Sequence, residues 1–321
     1  MKLGILGTGM MVRDFLQTVD LTTFSYVGIL GRKESEPKVQ GLCREFGLDA
    51  YFLDYDEMLS QDMDTMYIAL PNHLHASYAK KALLHGKHVI VEKPAAATLA
   101  ELQDLRQTAK EQKRMLIEAM SIPFLPAYHN LKKDLEKLGP MRIVSLNYSQ
   151  YSSRYDAFLR GETLPVFDPK QAGGALMDLN VYNIHTAVGL FGKPQSVHYE
   201  ANVQRGIDTS GILLLDYGTF KVAAIGAKDC KAPLSSTFQG EKGCIRIQKP
   251  LSRMTGYELI SNDGETAVYQ LEDAKDRLCY EFQTMQDMIR NQDWELEEEL
   301  FTRSLWASEI LEEARRQIGI L

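Results

Sequence analysis

Lys2-Leu3-Gly4-Ile5-Leu6-Gly7-Thr8-Gly9-Met10-Met11-Val12 opens the chain, and this stretch decides the fold. A short apolar run ends in two glycines one residue apart, and the residues from Met10 to Thr18 follow with helical texture. The order is strand, tight turn, helix. Gly7 permits the turn, and Gly9 lets a ligand approach the backbone where a helix N-terminus offers unpaired N–H groups to an anion. Val12 stands where such turns usually carry a third glycine, which predicts a helix set further from the sheet. An ordinary strand–helix turn is the competing reading, and placement at the first strand of a βαβ unit favours a dinucleotide pyrophosphate.

The alternation continues outward from this turn. Residues 26–30, 65–69, 88–91 and 115–119 read as strands, and 37–46, 75–85 and 99–112 as helices between them. Continuously apolar strands separated by helices imply a parallel sheet covered on both faces, with ligands bound at the carboxyl ends of the strands. Beyond a connecting helix at 126–138 the texture changes. Segments 141–151, 196–204, 210–217, 219–225, 244–248 and 265–270 are strand-like, and Tyr217-Gly218 marks a hairpin. Strands without intervening helices argue an antiparallel sheet, interrupted by one helix at 173–190 and closed by two at 275–291 and 302–319. The fold class is α/β, with a dinucleotide-binding domain over 1–121 and an α+β domain over 122–321.

Composition agrees with two soluble domains: 321 residues, 45% hydrophobic and 25% charged. Net charge is −7, with no basic stripe, which argues against nucleic acid as a partner. Apolar runs such as Tyr67-Ile68-Ala69-Leu70 fall far short of the ~20 residues of a membrane helix. No secretory leader pattern precedes the first strand, and four scattered cysteines without a CxxC pair suit a reducing cytoplasm. The cysteines and the Met10-Met11 pair are expected to pack.

Three strand ends carry the candidate chemistry. The second ends in Leu30-Gly31-Arg32-Lys33. An acidic residue there would bind a ribose 2′-hydroxyl, whereas Arg32 and Lys33 suit a 2′-phosphate, so NADP(H) is expected over NAD(H). After the fourth comes Leu70-Pro71-Asn72-His73-Leu74-His75. No cysteine or carboxylate completes a ligand set around the two histidines, so no metal is expected. Asn72 and His75 read either as hydrogen-bonding a ligand over the sheet or as capping a helix. The fifth ends in Glu92-Lys93-Pro94, where the Lys93 ammonium projects into the ligand crevice and suits stabilising charge on a substrate oxygen. In the second domain, Gly173-Gly174 leads into a helix with Met177, Val181, Ile184 and Val188 on an apolar face. Asp178, Tyr182 and His185 form a polar stripe beside it, a set suited to proton transfer, although such residues also occur on solvated helices. His185 reads equally as a substrate contact or a core histidine.

These residues, in this order, resemble the Gfo/Idh/MocA oxidoreductases over essentially the whole chain. Glu92-Lys93-Pro94 and Gly173-Gly174-Ala175-Leu176-Met177-Asp178 are the specific parts. The resemblance implies a Rossmann domain followed by a domain with a large, mostly antiparallel sheet, whose open face joins homodimers or homotetramers. It implies hydride transfer between NAD(P) and a sugar, polyol or diol-like substrate, with Lys93 as the catalytic lysine and Asp178 supporting substrate and proton handling. Inositol-dehydrogenase-like members carry a histidine four residues after the aspartate. Tyr182 at that position looks like the glucose–fructose oxidoreductase and dihydrodiol dehydrogenase branches, as does Phe124-Leu125-Pro126-Ala127-Tyr128. Ser121-Ile122-Pro123 departs from the tryptophan and arginine of the latter branch, so its substrate is not carried over. The nucleotide-facing set is Gly7, Thr8, Gly9, Met10, Met11, Gly31, Arg32, Lys33, Leu70, Pro71, Asn72, His75, Glu92 and Lys93; Lys93, Asp178 and Tyr182 are the catalytic set. A non-catalytic dinucleotide sensor of the same fold, or an NAD-dependent glycosidase, is the rival reading.

Overall fold

The computed structural model describes residues 1–320. The first part of the chain alternates strand and helix: β1 (Lys2–Leu6), α1 (Met10–Thr18), β2 (Tyr26–Leu30), α2 (Glu36–Phe46), β3 (Ala50–Phe52), α3 (Tyr55–Leu59), β4 (Thr65–Ile68), α4 (Asn72–Leu84), β5 (His88–Glu92), α5 (Leu99–Gln112) and β6 (Leu116–Ala119). The strands form a six-stranded parallel sheet in the order β3-β2-β1-β4-β5-β6. Chain order reverses between β1 and β4, and a doubly wound sheet opens its binding crevice at that switch point.

Burial explains why these segments read so clearly. Leu3, Ile5, Leu6, Met66, Tyr67, Ile68, Val89, Ile90 and Val91 are fully buried, the near-continuous apolar pattern of strands covered on both faces. Val12 is likewise fully buried, so the branched side chain that replaces a glycine is absorbed into the core beneath α1. The three-residue β3 escapes sequence reading because it is too short to show a period.

The later chain supplies α6 (Pro126–Asp134), β7 (Met141–Ser149), α7 (Tyr155–Leu159), a π-helical turn (Leu176–Asn180), α8 (Val181–Phe191), β8 (Ser196–Gln204), β9 (Ile207–Asp216), β10 (Lys221–Ala227), β11 (Ser236–Gly240), β12 (Gly243–Ile247), β13 (Gly256–Ser261), β14 (Thr266–Gln270), α9 (Arg277–Asn291) and α10 (Trp294–Gln317). Eight strands form a sheet in the order β14-β13-β12-β11-β7-β10-β9-β8, antiparallel except where β10 runs parallel to β7. The hairpin expected at Tyr217-Gly218 joins β9 to β10. β11 and β13 were not anticipated; both carry polar and small residues that blur the alternation.

Two compact units result: Met1–Ala119 with Leu278–Thr302, and Met120–Arg277 with the chain from Arg303 on. The segment Leu278–Thr302, expected in the second domain, packs with the first. Phe282 of α9 is fully buried, with its ring 4.5 Å from Phe15 and 4.9 Å from Tyr67. An aromatic cluster of this kind outweighs sequence position in deciding where a helix docks.

Candidate active site

At the carboxyl end of the six-stranded sheet, the two glycines of the first turn have different causes. Gly7 has φ +118°, and a Cβ there would lie 2.5 Å from the Ala69 carbonyl oxygen, so the loop after β4 demands it. Around Gly9 a Cβ would meet nothing within 4 Å. No fold contact requires the glycine, which leaves bare backbone at the N-terminus of α1. That terminus has no side-chain cap and no acidic residue in its first turn, so its positive dipole end meets no carboxylate of its own first turn. Met10 is 68% exposed beside it, correcting the expectation that the Met10-Met11 pair packs. Cys230 is exposed too, against the same expectation for the cysteines.

Gly31 ends β2 under tight packing: a Cβ would sit 2.1 Å from Val39 Cγ2 and 3.3 Å from Thr8 Cγ2. The space beside this glycine is thus occupied by Val39 of α2. Arg32 and Lys33 follow, both exposed. Among the described residues neither side chain is held in an ion pair, which leaves two cations available at this strand end.

The loops after β4 and β5 are tied together by His75. Its ring is fully buried, with Nδ1 2.8 Å from the Pro94 carbonyl oxygen and Nε2 2.7 Å from that of Leu70. Burial pushes its pKa down, favouring the neutral ring even though two carbonyls and the nearby Glu92 and Glu118 would welcome a charge. His75 was expected to hydrogen-bond a ligand or to cap a helix; its two nitrogens instead face carbonyl oxygens of the two loops, and a neutral ring donates to one of them at a time. Glu92 is also withdrawn: its carboxylate is buried and accepts a 2.6 Å hydrogen bond from Tyr67. Glu118 accepts from the Ala95 N–H at 2.9 Å. Lys93 is half-buried on a segment anchored on both sides. Asn72 begins α4, whose N-cap is Pro71 without a side-chain cap. No group of three metal-ligating side chains occurs among the described residues.

The second constellation lies within the other unit. Asp178 belongs to the π-helical turn and Tyr182 to α8, so the uninterrupted helical stripe expected of Asp178, Tyr182 and His185 is broken by the wider turn. π-Helical turns often occur at functional sites. The apolar face is as expected: Met177, Val181, Ile184 and Val188 are buried. Two asparagines fasten this segment to β10. Asn180 Nδ2 donates to the Ala224 carbonyl at 3.0 Å, and Asn183 Nδ2 to that of Ile225 at 3.0 Å. Tyr182 is half-buried, its ring 5.5 Å from that of Tyr148, and His185 is buried.

Gly173 and Gly174 are both enforced by the fold. A Cβ on Gly173 would lie 2.7 Å from the Pro165 carbonyl oxygen. Gly174 has φ +107°, and a Cβ would lie 2.0 Å from Asp208 Oδ1. Asp208 is fully buried and accepts from the Leu176 N–H at 2.7 Å and the Tyr199 hydroxyl at 2.9 Å; burial pushes its pKa up to about 6. Asp178 itself forms an ion pair with Lys228, a residue that sequence reading passed over. The signal existed: Lys228 stands just past an apolar strand, β10, as Lys93 stands at the end of β5.

The donor set fits a dinucleotide. An open glycine at an uncapped helix N-terminus suits a pyrophosphate, and unpaired cations at the end of β2 suit a further phosphate. Comparison with known proteins agrees. The model for the oxidoreductase family with NAD-binding Rossmann fold matches residues 1–120, and that for the GFO/IDH/MocA C-terminal domain matches 134–246. The chain is 36% identical to scyllo-inositol 2-dehydrogenase (NADP(+)) IolU of Bacillus subtilis, covering 100% of this chain and 98% of that protein. It is 25% identical to trans-1,2-dihydrobenzene-1,2-diol dehydrogenase of Sus scrofa, covering 100% and 97%. Among solved structures it shares the fold of KijD10, a 3-ketoreductase from Actinomadura kijaniata, with a TM-score of 0.84, 19% identity and coverage of 99% and 97%. With both of its domain models matched and a relative aligned end to end, the chain belongs to the Gfo/Idh/MocA family of oxidoreductases.

Proposed function

We propose that the chain is an NADP(H)-dependent oxidoreductase acting reversibly on a carbinol carbon of a sugar, polyol or diol-like substrate, with Lys93, Asp178 and Tyr182 as its catalytic residues. The observation that carries this reading is the end-to-end similarity to an NADP(+)-dependent scyllo-inositol dehydrogenase. The nicotinamide, when bound, takes or returns the hydride. The Gly7-Thr8-Gly9-Met10-Met11 turn holds the pyrophosphate on the N–H groups of α1, and Arg32 and Lys33 hold the 2′-phosphate. Leu70, Pro71 and Asn72 border the same crevice, while His75 and Glu92 shape it from behind.

In the oxidation direction the Tyr182 side chain acts as phenolate, accepts the proton of the substrate hydroxyl and becomes the phenol. The Lys93 ammonium is assigned to stabilising negative charge on the substrate oxygen. Asp178 accepts from substrate hydroxyls and orients them. The protein works in the cytoplasm as a homodimer or homotetramer. That association is supported by exposed Ile143, Ile212 and Leu214 on the open face of the eight-stranded sheet.

Nicotinamide fluorescence titrated with NADPH and NADH, followed by turnover of scyllo-inositol with NADP(+), tests the proposal. Tighter NADPH binding and turnover are expected. Lys93→Met and Tyr182→Phe should each slow turnover by about 10²–10⁴-fold with NADPH binding kept. Near-normal turnover in both variants overturns the mechanism, and preference for NADH overturns the cofactor assignment.

A further inference from the structure

We propose that Lys228 is the positioning residue of this site: a buried ammonium that keeps the Asp178 carboxylate ionised and aimed. The inference rests on the assignment of Asp178 to substrate handling.

Two features make the pair unlike a surface salt bridge. The Lys228 side chain is 3% exposed and that of Asp178 35%. Taking an ammonium out of water is costly unless a negative partner is fixed beside it, whereas exposed pairs contribute little. The lysine is also pinned through its backbone. Its N–H donates to the Thr209 carbonyl at 2.8 Å, and its own carbonyl accepts from the Ser152 N–H at 2.8 Å. The ammonium lies 5.1 Å from the centre of the Phe167 ring, whose face adds a weaker cation attraction. An ammonium fixed this firmly dictates where the carboxylate sits, and the Asp178 side chain is still 35% exposed. On the other side, Asn180 and Asn183, just after Asp178 in the chain, fasten its segment to β10, the strand that leads to Lys228.

Other ionisable groups surround the pair. Asp208 on β9 feels Lys228 electrostatically, yet its hydrogen bonds go to the Leu176 N–H and Tyr199 on β8. Arg315 on α10 feels Asp208 in turn. Asp229 adjoins Lys228 and accepts from Thr209 and Ser210; Tyr182 and His185 follow Asp178 on α8, and the Tyr182 ring meets that of Tyr148 on β7. Asp178 is in direct ion-pair contact with the ammonium. It acts as a fixed acceptor for substrate hydroxyls, and the proton step falls to Tyr182.

Carbon-13 NMR of the aspartate carboxyls in the full chain, with Asp178 assigned through Asp178→Asn, tests this without reliance on activity. In Lys228→Met the Asp178 titration midpoint should rise by about one pH unit or more, and Lys228→Arg should return it most of the way. If the methionine variant does not fold, Lys228→Gln, which lacks the charge but keeps polarity, must show the same rise. In turnover, Lys228→Met should raise KM for scyllo-inositol about tenfold with NADPH affinity unchanged. The double variant with Asp178→Asn should be no worse than Asp178→Asn alone. An unmoved midpoint in a folded variant, or additive losses, overturns the role. Failure of the unsubstituted chain to turn over any polyol would sink the oxidoreductase reading instead, with the carboxyl titration still deciding on Lys228.

Discussion

The two glycine turns of this protein look alike in sequence and do opposite things. In Gly7-Thr8-Gly9 one glycine meets a backbone demand and the other borders open space. In Gly173-Gly174 both are filled by the protein itself, one by the Pro165 turn and one by the Asp208 carboxylate. The first turn leaves room for something that is not protein. The second is internal scaffolding that sets the start of the segment carrying Asp178. Glycine alone therefore does not mark a ligand site; what a Cβ would strike tells the two uses apart.

Breaking the scaffold should have the largest effect. Gly174→Ala combines a left-handed φ with a near-collision with Asp208, and strain and overpacking of this sort each cost about 1–3 kcal/mol. A loss of about 4 kcal/mol in urea unfolding is expected, and a change under about 0.5 kcal/mol would show that the turn relaxes freely. The carboxylate behind that turn gives the next effect. Asp208 titrates near 6 when folded against an ordinary value of 3.8, so the folded state holds its proton more tightly. Its contribution is fully present below the unfolded pKa and is lost as pH rises through about 6, by up to about 3 kcal/mol. The stability of the chain relative to Asp208→Asn should fall between pH 4 and pH 7; a difference independent of pH would mean that Asp208 is ionised throughout. The smallest structural effect belongs to the open turn. Gly9→Ala should leave unfolding within about 0.5 kcal/mol, since no atom opposes the new methyl. NADPH affinity should nevertheless fall about tenfold, or 1.4 kcal/mol, by fluorescence titration. Lost stability with unchanged affinity would reverse the comparison.

Much of the fold was legible because its signals are local. β1, α1, β2 and α5 occupy the spans that apolar runs and helical spacing predict. The site was legible only in part. Lys93, Asp178 and Tyr182 stand out by motif, but the same reasoning overrated His75 and Glu92. Each looked ligand-facing because it follows a strand end, yet one is consumed by two carbonyls and the other by Tyr67.

By itself the sequence determined the alternation of strand and helix, the two-domain character and the identity of the chemistry-bearing side chains, because periodicity and turn residues act within a few positions. Tertiary structure alone decided which glycine is open, which helix returns to the first unit and which ammonium meets Asp178. Asp178 and Lys228 are 50 residues apart. Their pairing depends on where the π-helical turn is fastened to β10, a sheet register that no local spacing encodes.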